Sequence, residues 1–196
     1  MGGGKYGCIL HYVDNDREMK AGDLVVVDIG AEHNFYCADL TRTYPVSGKF
    51  TKRQREVYNI VLDTQQYIAD LAQPGYWLSN KDHPEKSLNH LAKAYLQKRG
   101  YDKYFPHGIG HYLGLDVHDV GDYKIDGQWR MLESGMVLTV EPGIYIPLGS
   151  KGVAKKWQGI GIRIEDDVLV TKQGYDILSK GAPKEIDEIE ALMAGP

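Results

Sequence analysis

Apolar positions change period several times along this chain. Leu24 to Ile29 is an apolar run broken only by Asp28 and reads as a buried strand, while Phe35 to Tyr44 alternates more loosely. The polar stretch Glu32-His33-Asn34 between them predicts a hairpin. Thr51-Lys52-Arg53-Gln54 matches a capping box, after which Val57, Ile60, Val61, Ile68 and Leu71 recur at helical spacing until Pro74-Gly75. A second helix is predicted from about Pro84 to Arg99, with Leu88, Leu91, Tyr95 and Leu96 on one face and Gly100 at its end. From Phe105 to Thr171 glycines punctuate strand-like runs, notably Met136–Glu141, Ile160–Glu165 and Val168–Val170. A short acidic helix from Pro183 to about Met193 closes the pattern. Two strands, two helices, more strands and a helix give an α+β class with an antiparallel or mixed sheet, read as one domain over 1–196.

Composition narrows the function classes. With 42% apolar and 26% charged residues the chain is ordinary globular material, not a disordered one. A formal charge of −4 offers no footprint for a phosphate backbone, so no nucleic-acid partner is expected. No stretch approaches the ~20 apolar residues of a membrane span, so no membrane partner is expected either. Two cysteines, Cys8 and Cys37, cannot make a disulfide framework or the usual thiolate zinc site, and they suit a reduced cytoplasm.

The informative anomaly is where the carboxylates fall. Asp28 interrupts Val25-Val26-Val27-Asp28-Ile29, where an unpaired buried charge is costly. A turn centred on His33-Asn34 sets Asp28 directly opposite Asp39 on one face of the hairpin. Two carboxylates ~4 Å apart repel by about 4 kcal/mol at an effective dielectric near 20. A shared proton, a nearby Arg such as Arg42, or a cation could compensate. Glu141 ends an apolar strand just before Pro142-Gly143, and Arg163 and Glu165 share a strand face whose opposite side is Ile160, Ile162 and Ile164. A plain buried Arg163–Glu165 ion pair is the alternative reading of that segment.

Between these carboxylates lie His107-Gly-Ile-Gly-His111 and then Val117-His118-Asp119. Gly108 and Gly110 argue against a helical pair of zinc-binding histidines. Three histidines in a glycine-rich loop, beside four half-buried carboxylates, point instead to hard or borderline divalent ions such as Mn, Co or Zn. The residues alone thus suggest a two-metal hydrolase, with ions ~3.5–4 Å apart. His83 and His90 read as solvated helix residues.

The motifs Val27-Asp28-Ile-Gly, Ala38-Asp39-Leu-Thr-Arg-Thr, His107-Gly-Ile-Gly-His111 through His118-Asp-Val-Gly, Val140-Glu141-Pro-Gly-Ile-Tyr and Gly161-Ile-Arg163-Ile-Glu165-Asp-Asp occur in this order. Together they resemble the pita-bread (creatinase/aminopeptidase-like) metallopeptidases, above all the Xaa-Pro aminopeptidase family, with prolidase next. The resemblance runs from Gly7-Cys-Ile-Leu-His11-Tyr to the closing helix. It implies metal ligands at Asp28, Asp39, His111, Glu141 and Glu165, with Asp39 and Glu165 bridging two divalent ions, typically Mn2+ and sometimes Co2+ or Zn2+. It further implies hydrolysis of the bond before a proline at the second position of a peptide, with Glu141 as general base. His11, His107 and His118 would line the substrate pocket, and Arg163 would orient the ligand carboxylates.

In that family the Gly-Gly-Gly…Cys-Ile-Leu-His stretch lies well inside the catalytic domain, so the fold is expected to be recognisable but incomplete at the N-terminus, with self-association to cover exposed surface. The segment Tyr76–His83 departs from the family's usual opening of the next helix, leaving that helix's start open. A prolidase-type dipeptidase and a non-catalytic peptide- or partner-binding module are the alternatives.

Overall fold

The computed structural model describes residues 1–195. Gly2–Gly3 (β1) adds to the edge of a long hairpin, Leu24–His33 (β2) and Tyr36–Pro45 (β3). Helix α1 (Lys52–Asp70) follows, and both halves of its Thr51/Gln54 capping box are formed. Helix α2 spans Leu88–Gln97, preceded by a 3-10 turn over Pro84–Lys86, so the second helix starts later than its apolar pattern suggests. Ser87 stands at the junction, where its hydroxyl accepts from the Asn80 amide. A small hairpin, Lys124–Ile125 (β4) with Gln128–Trp129 (β5), precedes Val137–Val140 (β6), Gly143–Ile146 (β7), Ile160–Arg163 (β8), Asp166–Thr171 (β9) and Gly174–Ile177 (β10). Helix α3 covers Ile186–Ala194. Four small antiparallel sheets result: β1-β2-β3, β10-β9-β6, β4-β5 and β7-β8. Among the described residues no helix is long and apolar enough to cross a membrane.

The core lies on the helix side of these sheets. Val57, Tyr58, Val61 and Ile68 of α1 and Leu88, Ala92 and Leu96 of α2 are fully buried with Leu138, Val140, Ile144, Ile162 and Val168. Alternation along β7 and β8 then sends Tyr145 and Arg163 to the opposite face, toward β2 and β3. Backbone and hydroxyl contacts lock that side: Glu165 N–H donates to the Thr41 carbonyl at 3.0 Å, and Thr43 Oγ1 both donates to the Arg163 carbonyl at 2.9 Å and accepts from the Arg163 amide at 3.1 Å. Close approach demands glycine at Gly161, where a Cβ would lie 2.1 Å from the Gly7 carbonyl oxygen.

The hairpin differs from expectation by one step at its tip. Its turn is Asn34-Phe35, both at positive φ (51° and 67°), and His33 pairs with Tyr36. This is the primed two-residue turn that matches strand twist, with Phe35 in the place usually taken by glycine. Asp28 therefore faces Thr41, and Asp39 faces Gly30. The two carboxylates share a face, as diagonal rather than direct neighbours. Burial along β2 also stops at Val26, leaving the Ile29 side chain exposed and Asp28 at 40% side-chain exposure.

Arg42 does not compensate this pair. It points to the other face of β3, where Nη2 binds Asp166 Oδ1 at 2.7 Å, Nη1 donates to the Glu165 carbonyl at 2.6 Å and Nε to the Pro183 carbonyl at 3.1 Å. Asp166 also accepts from Lys184, Gln65 and Ser179, which holds its carboxyl below the usual range despite burial.

Candidate metal centre

Three chain regions meet where β3, the segment after β8 and the glycine-rich loop converge. One ligand atom each from Asp39, His111 and Glu165 lie within 4.8 Å of one another. Asp28 and Glu141 line the same cleft, as do His11, His107, His118 and Arg163, around a cavity of about 300 Å³. Every candidate site residue read from the sequence thus borders one space.

The glycine-rich loop reaches this position as an improvised strand. Ile109, His111 and Leu113 exchange backbone bonds with Glu141, Thr139 and Val137 respectively. A Cβ at residue 110 would sit 1.9 Å from the Thr139 carbonyl oxygen, so Gly110 lets His111 approach β6. Thr139 Oγ1 accepts from the His111 amide at 3.1 Å and donates to Glu141 Oε1 at 3.3 Å, fixing imidazole and carboxylate together.

His111 is set up as a donor toward the cluster. Its Nδ1 lies 3.0 Å from the Tyr112 carbonyl, which selects the Nδ1–H tautomer, while Nε2 faces Asp39 Oδ2 at 3.5 Å and Glu141 Oε1 at 3.6 Å. Burial works against its protonation, yet Asp39, the Tyr112 carbonyl and Glu141 outweigh it and raise the His111 pKa. The carboxylates show the converse strain. Burial pushes Glu141 up to about 7 and raises Glu165 well above the carboxylate range, with Glu141 and Asp39 adding to the rise at Glu165. Burial also raises Asp28, opposed by Arg163.

Buried acids whose ionised forms are costly surround a ring nitrogen whose protonation they favour, a cluster that bound cations would relieve. The chemistry of that set fits divalent ions: hard carboxylate oxygens with one imidazole nitrogen.

Arg163 is not paired with Glu165. Its Nη2 binds Asp28 Oδ2, Nη1 donates to the Tyr145 hydroxyl at 3.1 Å, and Nε donates to Thr41 Oγ1 at 3.0 Å. The Thr41 hydroxyl in turn donates a hydrogen bond to Glu165 Oε2 at 2.6 Å, so Arg163 orients Glu165 through the threonine. The Tyr145 hydroxyl lies 3.0 Å from His107 Nε2, and His107 Nδ1 lies 2.8 Å from the Gly108 carbonyl. Nδ1–H therefore donates to Gly108 while Nε2 accepts from Tyr145. Burial lowers the His107 pKa to about 4, so this ring stays neutral. His118 stacks on His111 at 4.0 Å between ring centres, and burial followed by the His111 charge lowers its pKa. His83 is exposed and stacks on Trp77, while His90 bonds Ser87; both lie outside the cleft lining.

Sequence reasoning missed Thr41, Thr139 and Tyr145. A signal existed for each: Thr41 and Thr139 lie two residues from Asp39 and Glu141, hence on the same strand face, and Tyr145 lies opposite Gly161.

A carboxylate- and histidine-lined cleft on small antiparallel sheets backed by helices defines a metallohydrolase-like architecture. The chain belongs to metallopeptidase family M24, whose sequence profile matches residues 1–172, and its fold is of the pita-bread type. It is 45% identical over 202 residues to the Xaa-Pro aminopeptidase of Haemophilus influenzae and 45% identical over 204 residues to that of Escherichia coli, covering 97% and 98% of this chain and 46% of each relative. Among solved structures, the aminopeptidase PepP of Pseudomonas aeruginosa superposes with a TM-score of 0.88 at 44% identity, covering 98% of this chain and 46% of that one. An Escherichia coli aminopeptidase P in complex with substrate gives a TM-score of 0.86 at 43% identity with the same coverage. The chain thus spans about half the length of the curated relatives it matches.

Proposed function

We propose that this chain is a manganese-dependent Xaa-Pro aminopeptidase unit, holding two divalent ions on Asp28, Asp39, His111, Glu141 and Glu165. The observation that carries the reading is the convergence of Asp39, His111 and Glu165 within 4.8 Å, in a cleft also lined by Asp28 and Glu141. The similarity to Xaa-Pro aminopeptidases supplies the substrate class: a peptide with proline in second place. When bound, such ions supply Lewis-acid polarisation of a carbonyl and acidify a water.

The chain's own residues do the rest. Glu141, whose carboxyl burial makes basic and whose proton a bound ion would displace, can then accept a proton from the attacking water and deliver it to the leaving nitrogen. His118, kept neutral, offers a ring N–H to the oxygen that gains charge. His107 cannot reorient freely, because both ring nitrogens are engaged, and it presents a fixed neutral wall to the proline side. His11 also lines the cleft. Arg163 fixes Asp28 directly and Glu165 through Thr41, limiting the motion of the donor set.

The test is metal analysis of the purified protein together with release of the first residue from an Xaa-Pro-peptide in the presence of Mn2+. About two ions per chain and hydrolysis abolished by Glu141→Ala support the reading; activity indifferent to that change sinks the mechanism. Comparing a dipeptide with a longer peptide separates aminopeptidase from prolidase-type action.

A further inference from the structure

Two neighbouring aspartates end the Gly161–Asp167 motif, and their surroundings are opposite. Asp166 lies on the Arg42 face and is answered there by Arg42 at 2.7 Å and Lys184 at 2.8 Å. Asp167 is nearly as buried, at 5% exposure, yet among the described residues no lysine, arginine or histidine pairs with it. Its position is on the cluster's side of the sheet. In the β6–β9 register Asp167 stands opposite Thr139, whose hydroxyl bonds Glu141, and directly opposed residues share a face. It still lies outside the converging ligand atoms of Asp39, His111 and Glu165.

Both oxygens of this carboxylate turn to one donor. The Asp39 amide lies 3.2 Å from Asp167 Oδ2 and 3.4 Å from Oδ1, and among the described residues no other group hydrogen-bonds to them. Asp167 is itself held from behind, since its amide donates to Ser179 Oγ at 3.2 Å and its carbonyl accepts from the Leu178 amide at 2.9 Å. The bond to Asp39 falls on the seam between β3 and the segment after β8. There Glu165 N–H donates to the Thr41 carbonyl, whereas two residues back along β3 the Asp39 amide is met by a side chain in place of a backbone carbonyl. Asp39 and Glu165 thus stand on facing segments tied by these two bonds. Burying a carboxylate without a cation is costly, and a neutral acceptor would satisfy the same amide at a smaller penalty. What the charge adds is a stronger bond, and so a firmer hold on the Asp39 backbone.

We propose that Asp167 is a positioning residue of the metal centre: it ligates no ion, and it clips the backbone of Asp39 so that the Asp39 carboxylate keeps its place beside His111 and Glu165. The inference rests on the reading of Asp39 as a metal ligand, while the clip itself can be observed without metal.

The experiment compares the wild type with Asp167→Ala, which removes the acceptor, and Asp167→Asn, which keeps one carbonyl oxygen for the Asp39 amide. In the metal-free, 15N-labelled protein the Asp39 amide proton should move upfield and exchange faster in Asp167→Ala, and stay close to the wild type in Asp167→Asn. Calorimetric titration with Mn2+ should show affinity falling about 10–100-fold in Asp167→Ala, with a several-fold smaller loss in Asp167→Asn. Thermal unfolding of metal-free Asp167→Ala should be level with the wild type or above it, because the change also removes an unpaired buried charge. A merely structural role gives the reverse, with stability lost and Mn2+ affinity kept. That result, an Asp39 amide unmoved by Asp167→Ala, or an asparagine variant as weak for Mn2+ as the alanine one overturns the proposal and leaves the proposed function standing. A wild type that binds no Mn2+ rejects both.

Discussion

Replacing Glu141 with Gln should make the metal-free protein more stable above neutral pH. The carboxyl is pushed from 4.5 up to about 7 and its side chain is 18% exposed. At ~1.4 kcal/mol per pH unit, that displacement is on the order of 3 kcal/mol. In the unfolded chain Glu141 ionises above its ordinary value, while the folded chain keeps the proton until about 7. The folded state therefore binds more protons across this interval, and its stability falls as pH rises through it. His107, lowered to about 4, acts in the opposite sense and still adds back about 0.4 kcal/mol between pH 6.5 and 8, with the lowered His118 acting the same way, so the effect of Glu141 is read as the difference between wild type and variant over that interval. In that window Glu141 alone removes about 0.8 kcal/mol, and the raised Glu165 and His111 act in the same direction. The share owed to Glu141 corresponds to a Tm difference of roughly 2–3 °C between wild type and Glu141→Gln accumulating over this interval in a chain of this size. Calorimetry in chelator should show the wild type losing ground to Glu141→Gln from pH 6.5 to 8, with the variant ahead at pH 8. Adding Mn2+ should reverse their order, because metal displaces the protons from the wild-type carboxylates. A metal-free variant whose Tm tracks that of the wild type from pH 6.5 to 8, with no gap opening between them, would refute the argument.

Asp39→Asn or Glu165→Gln should lower bound metal from about two ions per chain to below one, measured by elemental analysis of the dialysed protein. Arg163→Lys replaces a fork that serves Asp28, Tyr145 and Thr41 with a single ammonium, so metal affinity by calorimetric titration should fall about 10–100-fold while the far-UV spectrum is kept. Gly161→Ala drives a methyl group onto the Gly7 carbonyl and should cost about 1–3 kcal/mol in urea unfolding. Asp166→Asn leaves Arg42 and Lys184 without their shared anion, and a loss of about 3–5 kcal/mol is expected from the same assay.

Local patterns locate most of the fold. The Thr51/Gln54 box, the α1 stripe and the isoleucines of β8 are legible because each depends on neighbours in sequence. The hairpin register is not, because it turns on Phe35 adopting a positive φ that a bulky residue seldom takes. The start of α2 slips for a related reason: Pro84 suits a first helical turn, but here opens a 3-10 turn that ends at the Ser87 junction. At the candidate site, carboxylates out of place in apolar strands are enough to single out Asp28, Glu141 and Glu165 along the chain. The cation that answers Asp28 is Arg163 rather than Arg42, and strand alternation alone removes the latter, since residue 42 faces away from residues 39 and 41. Thr41, Thr139 and Tyr145 stay silent because a hydroxyl carries no charge whose burial looks anomalous.

Thr41 reaches Glu165 across 124 positions of sequence, and Arg163 reaches Asp28 across 135. Closing loops of that length is an entropic toll that local structure cannot share, so these contacts form only when the chain is nearly folded. In an unfolded chain the cluster's five donors are scattered between positions 28 and 165, with no two closer in sequence than Asp28 and Asp39, too dispersed to nucleate anything. A metal held by the finished cluster should accordingly leave the folding rate almost untouched and act as a brake on unfolding.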